Sequence, residues 1–249
     1  MIGRLGRVMG WIGLILLAAL PARAAEPADG VYVVGALHRL HGEEPAFDFQ
    51  DLDRILDLIQ PQVLVLEVRP DELAGRLETP GRPEYPAVVW PWIAGHEVQV
   101  VAMEPGGAVF SRITTAAGAE IAAFKARDPE GAADWGRLRP AFETALRAYW
   151  RHPADTQDPV TADLARALAI GDAGMVGTEF EAIQAEWEGY MLAQARAAVA
   201  AHPGKRILIL GSYRNRAGLE AGLREVSGPR LVDIEAWLRD QAFDLPAER

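Results

Sequence analysis

The sequence predicts an α/β protein: a mostly parallel sheet covered by helices on both faces, with a helical insertion between the third and fourth main strands. Three observations predict it. Short runs rich in Val, Ile and Leu alternate with segments of helical periodicity. The runs are nearly unbroken in apolar character, as strands buried on both faces must be. After the third run the pattern stays helical for a long stretch before a fourth run appears.

The first run, Val31 to Leu37 (VYVVGAL), is short and β-branched and breaks at Gly35, so it reads as a buried strand. In DFQDLDRILDLIQ, residues Phe49, Leu52, Ile55, Leu56 and Ile59 fall at helical spacing and Pro61 ends the pattern. QVLVLEV, Gln62 to Val68, is the second strand. A Pro- and Gly-rich loop follows to Pro86, a short apolar helix covers Ala87 to Ala94, and EVQVVAM, Glu97 to Met103, is the third strand. Helices are then expected near Ala116 to Ala126, Asp134 to Trp150, Pro159 to Ile170 and Thr178 to Ala201, with residues 105–171 as the insertion. Arg206 to Leu210 gives the fourth strand and Ala217 to Glu225 a helix; Arg230 to Asp233 reads as a last short strand before a C-terminal helix.

The N-terminus carries its own signal. Arg4 and Arg7 precede the apolar run Trp11 to Leu20, which is followed by Pro21 and the small-residue site Ala22-Arg23-Ala24. That order is the order of a cleavable export signal. A run of about ten apolar residues falls short of the roughly twenty a spanning helix needs, so residues 1–24 are expected to be removed, leaving 25–249 as one α/β domain with no stable membrane span. Arginine far outnumbers lysine, present only as Lys125 and Lys205, and alanine abounds, which suggests a bacterial source and a periplasmic or secreted address. The chain has no cysteine, so its stability must come from an ordinary core rather than from disulfides. Its formal charge is −10, and losing Arg4, Arg7 and Arg23 takes it to −13, which argues against nucleic acid or anionic lipid as the main partner.

In open α/β sheets ligands bind at the carboxyl ends of the strands, so the residues just past each strand are the ones to inspect. There the sequence places His38 and His41 after the first strand, Glu67 and Arg69 at the second, Glu104 at the third, and Gly211-Ser212-Tyr213-Arg214 at the fourth. Each taken alone reads more simply as a turn or capping residue; their coincidence at one end of one sheet is the signal. Glu67 is the sharpest, because it interrupts an apolar strand and an isolated buried carboxylate costs several kcal/mol, so it needs a cation, a metal or a proton. On the long helix, Ile183, Glu186 and Tyr190 share one face, which places Glu186 beside the core or on a solvated flank.

These residues carry a family resemblance. The strand-borne G-x-x-H (Gly35 to His38), the P-x-V-x-x-L-E block (Pro61 to Glu67) and the ending EWEGYMLAQARAAVAAHPGKRILILGSYRNRAGLEAGLRE resemble the TraB/GumN/Tiki group, within the larger set of erythromycin-esterase-like and ChaN-like proteins. The likeness covers both ends of the chain after the export segment, not the middle helices. It implies an α/β fold with its site at the strand ends and, as in Tiki-like members, a metal-dependent hydrolase acting on peptides. His38 and Glu67 match the first motif histidine and the motif glutamate, and Glu186 is similar in place to the acid on the penultimate helix. The sequence departs from the pattern where a second G-x-x-H follows the last major strand: here it reads Gly211-Ser212-Tyr213-Arg214, and arginine cannot act as a metal ligand.

The leading expectation is therefore a metal-assisted hydrolase of peptide or ester bonds. His38, Glu67 and His41 would hold a divalent cation (Zn, Mn or Co) that acidifies a bound water, with Glu186 as general base and Arg214 stabilising developing negative charge. A second is a metal-free, esterase-like hydrolase with His38 as general base oriented by Glu67. A third is a non-catalytic protein in which Arg214 neutralises Glu67 and the cleft binds a small molecule, such as haem or iron. No G-x-S-x-G elbow, P-loop or H-E-x-x-H helix is present.

Overall fold

The computed structural model describes residues 29–76, 81–241 and 243. The expected export segment, residues 1–24, lies outside the described residues, among which no helix is long and apolar enough to cross a membrane. The sheet has four strands, β1 (Val31–Ala36), β2 (Val63–Leu66), β3 (Gln99–Ala102) and β4 (Ile207–Ser212), all parallel, in the order β1-β4-β2-β3. The last strand in the chain is thus inserted between the first two. Its register sets Ser212 beside Ala36 and Leu210 beside Leu66. The carboxyl ends of β1, β4 and β2 therefore lie side by side, which brings together three stretches far apart in sequence.

Period-two alternation divides the strand residues between two cores. Tyr32, Val34, Leu64, Leu66, Leu208 and Leu210 join one apolar cluster; Val31, Val33, Val63, Val65, Ile207 and Ile209 join the other. The first is covered by α1 (Phe49–Ile59) and by the segment that turns in π-helical form over Tyr85–Val89 and continues as α3 (Trp90–Gly95). Asp48 starts α1 by accepting from the N–H groups of Gln50 and Asp51, and Asp51 returns the bond to the backbone of Asp48. Leu52, Ile55, Leu56 and Ile59 are buried on one face, each contributing about 1.5–3 kcal/mol. The aromatic residues Tyr85, Trp90 and Trp92 belong to this core.

The second face is covered by α7 (Thr178–Ala201) and α8 (Tyr213–Ser227), through Met191, Ala195, Ala198 and Val199 on one and Leu219 and Leu223 on the other. A short α2 (Pro70–Gly75) follows β2, and α9 (Ile234–Arg239) closes the described chain. Between β3 and β4 lie α4 (Gly107–Arg127), α5 (Pro129–Tyr149), α6 (Pro159–Val176) and α7, so the expected helical insertion is present. α4, α6 and α7 share a small core of their own, with Phe124, Val176 and Phe180 at its centre.

Three local expectations change. α4 begins at Gly107 rather than near Ala116, because its Ser- and Thr-bearing first turns, poor in intrinsic propensity, lie against α7, where Phe110 meets Trp187 at 6.0 Å between ring centroids. The expected strand at Arg230 to Asp233 reduces to a single bridge between Leu231 and Val31. β3, at the edge, is half-exposed rather than buried on both faces. At the other edge β1 is covered in part by a side chain: Gln157 accepts from the N–H of Gly35 at 2.8 Å and donates to its carbonyl at 2.9 Å. Gly35 also admits the start of α8, for a Cβ there would lie 2.6 Å from the Cα of Tyr213.

Candidate active site

β1 ends two residues before His38, which adopts a left-handed backbone with φ of 53°. That conformation costs a non-glycine residue on the order of 1 kcal/mol and is retained where the surroundings fix it. It turns the imidazole towards β2. Nδ1 lies 2.6 Å from Oε1 of Glu84, and Nε2 lies 3.6 Å from Oε1 of Glu67. The first is a short charge-assisted hydrogen bond; the second is a contact of charges too long to be one. Nε2 is itself buried and has no hydrogen-bond partner among the described residues.

Glu67 is held from the other side by α8. The backbone N–H of Ser212, the N-cap of that helix, donates to Oε2 at 2.5 Å, and the Asn215 amide donates to Oε1 at 3.2 Å. An anion at a helix N-terminus gains from both the free N–H groups and the helix dipole. The cation that the sequence requires of Glu67 is Arg82, whose guanidinium stands 4.0 Å from its Oε1. Arg82 also stands 4.0 Å from Glu72, donates at 2.5 Å to the carbonyl of Glu67, and forms a two-pronged pair with Glu104. Tyr85 donates to that same carbonyl at 3.3 Å.

The result is a knot of four carboxylates (Glu67, Glu72, Glu84 and Glu104) against the guanidiniums of Arg69 and Arg82 and the imidazole of His38. Excess negative charge favours the imidazolium. Burial opposes that charge, but the Glu67 and Glu84 carboxylates override it and raise the pKa of His38 to about 9. Burial likewise works against ionisation of Glu67, and His38, Arg82 and the Ser212 N–H together bring its pKa down to about 2. For Glu104 burial wins, and its pKa is raised despite Arg82.

The structure gathers some of the expected residues and separates others. His38, Glu67 and Glu104 converge at the strand ends. His41 does not: its ring packs edge-on against Phe47 and stacks on Phe49, its Nδ1 donates to the Phe47 carbonyl at 3.1 Å, and burial lowers its pKa to about 4, so it is a neutral core histidine. Glu186 is exposed and paired with Arg112, on a face of α7 turned away from the site. The acid on α7 that faces the site is Glu188: the charges of Glu67 and Arg214 both act on it, and partial burial raises its pKa although it reaches solvent. Arg214 does not neutralise Glu67. It lies in the first turn of α8 with its guanidinium 3.7 Å from Asp172 on α6.

The expected trio of metal ligands, His38, His41 and Glu67, is therefore not assembled. One nitrogen and one oxygen face each other, where a catalytic zinc takes three protein ligands. Arg82 already supplies positive charge at the place a divalent cation would need. Among the described residues no group of three or more His, Cys, Asp and Glu side chains could hold a metal ion. Sequence reasoning missed Glu84, Arg82 and Asn215. Two cavities of about 310 and 270 Å³ lie along α7 and α8, sharing Ala185, Glu188 and Arg214; the smaller is lined by Asn215, which reaches Glu67 from its other side.

Neither a family model, nor a curated protein, nor a solved structure matches the chain.

Proposed function

We propose that the protein is an exported hydrolase of ester or peptide bonds, of the TraB/GumN/Tiki-like kind, that works without a metal and uses His38 to move the proton. One observation carries this reading: a strained histidine has Nδ1 fixed by Glu84 while Nε2 is left unbonded facing the Glu67 carboxylate. That is the construction of a general base with its orienting group. Neutral Nε2 takes a proton from water as the water oxygen bonds to the substrate carbonyl carbon, and the imidazolium returns it to the departing oxygen or nitrogen. Glu67 and Glu84 stabilise the imidazolium formed in between. Export is supported by the charged, apolar and small-residue order of residues 1–24.

A pKa of about 9 leaves roughly one molecule in a hundred with neutral His38 at pH 7, so kcat/KM rises with pH towards that value. The test is a pH profile of ester and peptide hydrolysis in the presence of a chelator. Expected are activity that survives chelation, a rising limb that moves to lower pH in Glu84→Gln, and a loss of 10²-fold or more, on the order of general-base catalysis, in His38→Ala. Activity that disappears in chelator and returns with added metal would sink the metal-free mechanism.

A second reading, a binding protein without catalysis, is favoured by the burial of Nε2. Under it His38 only completes the ion knot, and hydrolysis is absent from the wild type at every pH.

A further inference from the structure

The larger of these two cavities lies between α5, α6, α7 and α8, and its walls differ in charge. Arg139 and Arg214 both approach Asp172, at 3.8 and 3.7 Å, too far for a hydrogen bond. The Asp172 carboxylate already accepts from the indole of Trp135 at 2.8 Å. Neither arginine makes a hydrogen bond to another described residue, and Nε of Arg214 is buried without a partner. Two guanidiniums thus share one carboxylate and keep their donors unspent beside a cavity. Burial first, then the charge of Arg214, depresses the pKa of Arg139.

The α7 wall carries the opposite sign. Glu181 and Glu188 line the cavity seven residues apart on one helix face, and neither forms an ion pair with a described residue. Opposite charges that face each other across open space without closing leave both free for a ligand. Ala169, Ala173 and Phe180 give the cavity an apolar side, continued by Ile170, which is 67 % exposed. The volume, about 310 Å³, suits a small ligand.

We propose that this cavity binds a zwitterionic small molecule of the amino-acid type: its carboxylate between Arg139 and Arg214, its ammonium group against Glu188, and an apolar side chain over Ala173 and Phe180. A plain anion would meet Glu181 and Glu188, and a plain cation would meet the arginine pair, so a ligand carrying both charges satisfies both walls. The site is one of binding and does not depend on what His38 does.

Isothermal titration calorimetry with three probes tests it: leucine, N-acetylleucine, which keeps only the negative charge, and leucinamide, which keeps only the positive one. Leucine has no bond to hydrolyse, so its binding is read apart from turnover; the two analogues carry amide bonds, and chromatography of the titrated samples shows whether they stay intact. Leucine is expected to bind at least about tenfold more tightly than either analogue, the worth of one charge-assisted hydrogen bond. Arg139→Gln should bring leucine down to the level of leucinamide, and Glu188→Gln down to that of N-acetylleucine. Both side chains reach solvent, and circular dichroism confirms that the variants fold. Absence of leucine binding by the wild type overturns the proposal, as does equal binding of leucine and N-acetylleucine. The probe series on the wild type decides the matter even if a variant is unstable.

Discussion

Two arginines at the strand ends show how differently one charge can be used. Arg82 is spent: two-pronged on Glu104, bonded to the Glu67 carbonyl, and within 4.0 Å of the carboxylates of Glu67 and Glu72. Arg214 is unspent: it has one distant partner, Asp172 at 3.7 Å, and a cavity before it. One expectation from the sequence had Arg214 neutralise Glu67, yet the charge that balances Glu67 comes from Arg82. The first region is closed and sets the shape and pKa of His38; the second is open and has donors left for a ligand.

The contrast is broken most directly at Arg82. Arg82→Ala leaves Glu67, Glu72 and Glu104 facing one another with only Arg69 and His38 as counter-charges, and removing one partner of a buried pair costs about 3–5 kcal/mol. Denaturant unfolding measures it. Adding Glu104→Ala to Arg82→Ala should cost much less than the sum of the two single changes, since the second removes a charge the first has stranded. Additive losses would mean that Arg82 stabilises the fold by packing alone.

The pH dependence of stability sharpens the same picture, because the two histidines slope in opposite directions. His38 is raised to about 9, so from about pH 6.5 to 9 the folded chain holds a proton that the unfolded chain has released, and stability falls as pH rises. The whole contribution, on the order of 3 kcal/mol, is present below pH 6.5 and gone above 9. His41 is lowered to about 4, so between 4 and 6.5 the unfolded chain binds the extra proton, and stability falls as pH drops. Unfolding free energy should therefore peak near pH 6.5. In His38→Gln the alkaline slope vanishes while the acid slope persists; a slope unchanged by that substitution would remove His38 from the knot.

The fold was legible because it is written in local patterns. Alternating strands and helices, the boundaries of α7 and the apolar register of β1, β2 and β4 follow from periodicity within each segment. The strand order was not, because inserting β4 between β1 and β2 is decided by packing between segments over a hundred residues apart. Glu67 stood out as one acid in an apolar strand. Glu84 and Arg82 did not, since they sit where a Pro- and Gly-rich loop meets a π-helical turn and no period marks them. The exchange of Glu186 for Glu188 is an error of helix phase. At about 100° per residue, Glu188 lies roughly 45° from the buried stripe through Phe180, Met191, Ala195, Ala198 and Val199, and Glu186 roughly 155° away. The face through Ile183 and Tyr190, on which the sequence places Glu186, is not the one that carries Met191, Ala195 and Val199 into the core.

The smallest expected effect bears on Arg214. If this side chain had replaced a metal by neutralising Glu67, Arg214→Gln would strand a buried carboxylate and cost as much as Arg82→Ala. The structure puts its guanidinium on Asp172 at 3.7 Å and leaves the side chain about a third exposed, and ion pairs of that kind contribute 1 kcal/mol or less. Its removal also relieves the repulsion that, after burial, depresses the pKa of Arg139. Arg214→Gln should therefore shift unfolding by less than about 1 kcal/mol in either direction, with the alkaline slope of His38 kept intact. A loss of several kcal/mol would instead tie Arg214 to Glu67, and the two regions would be one.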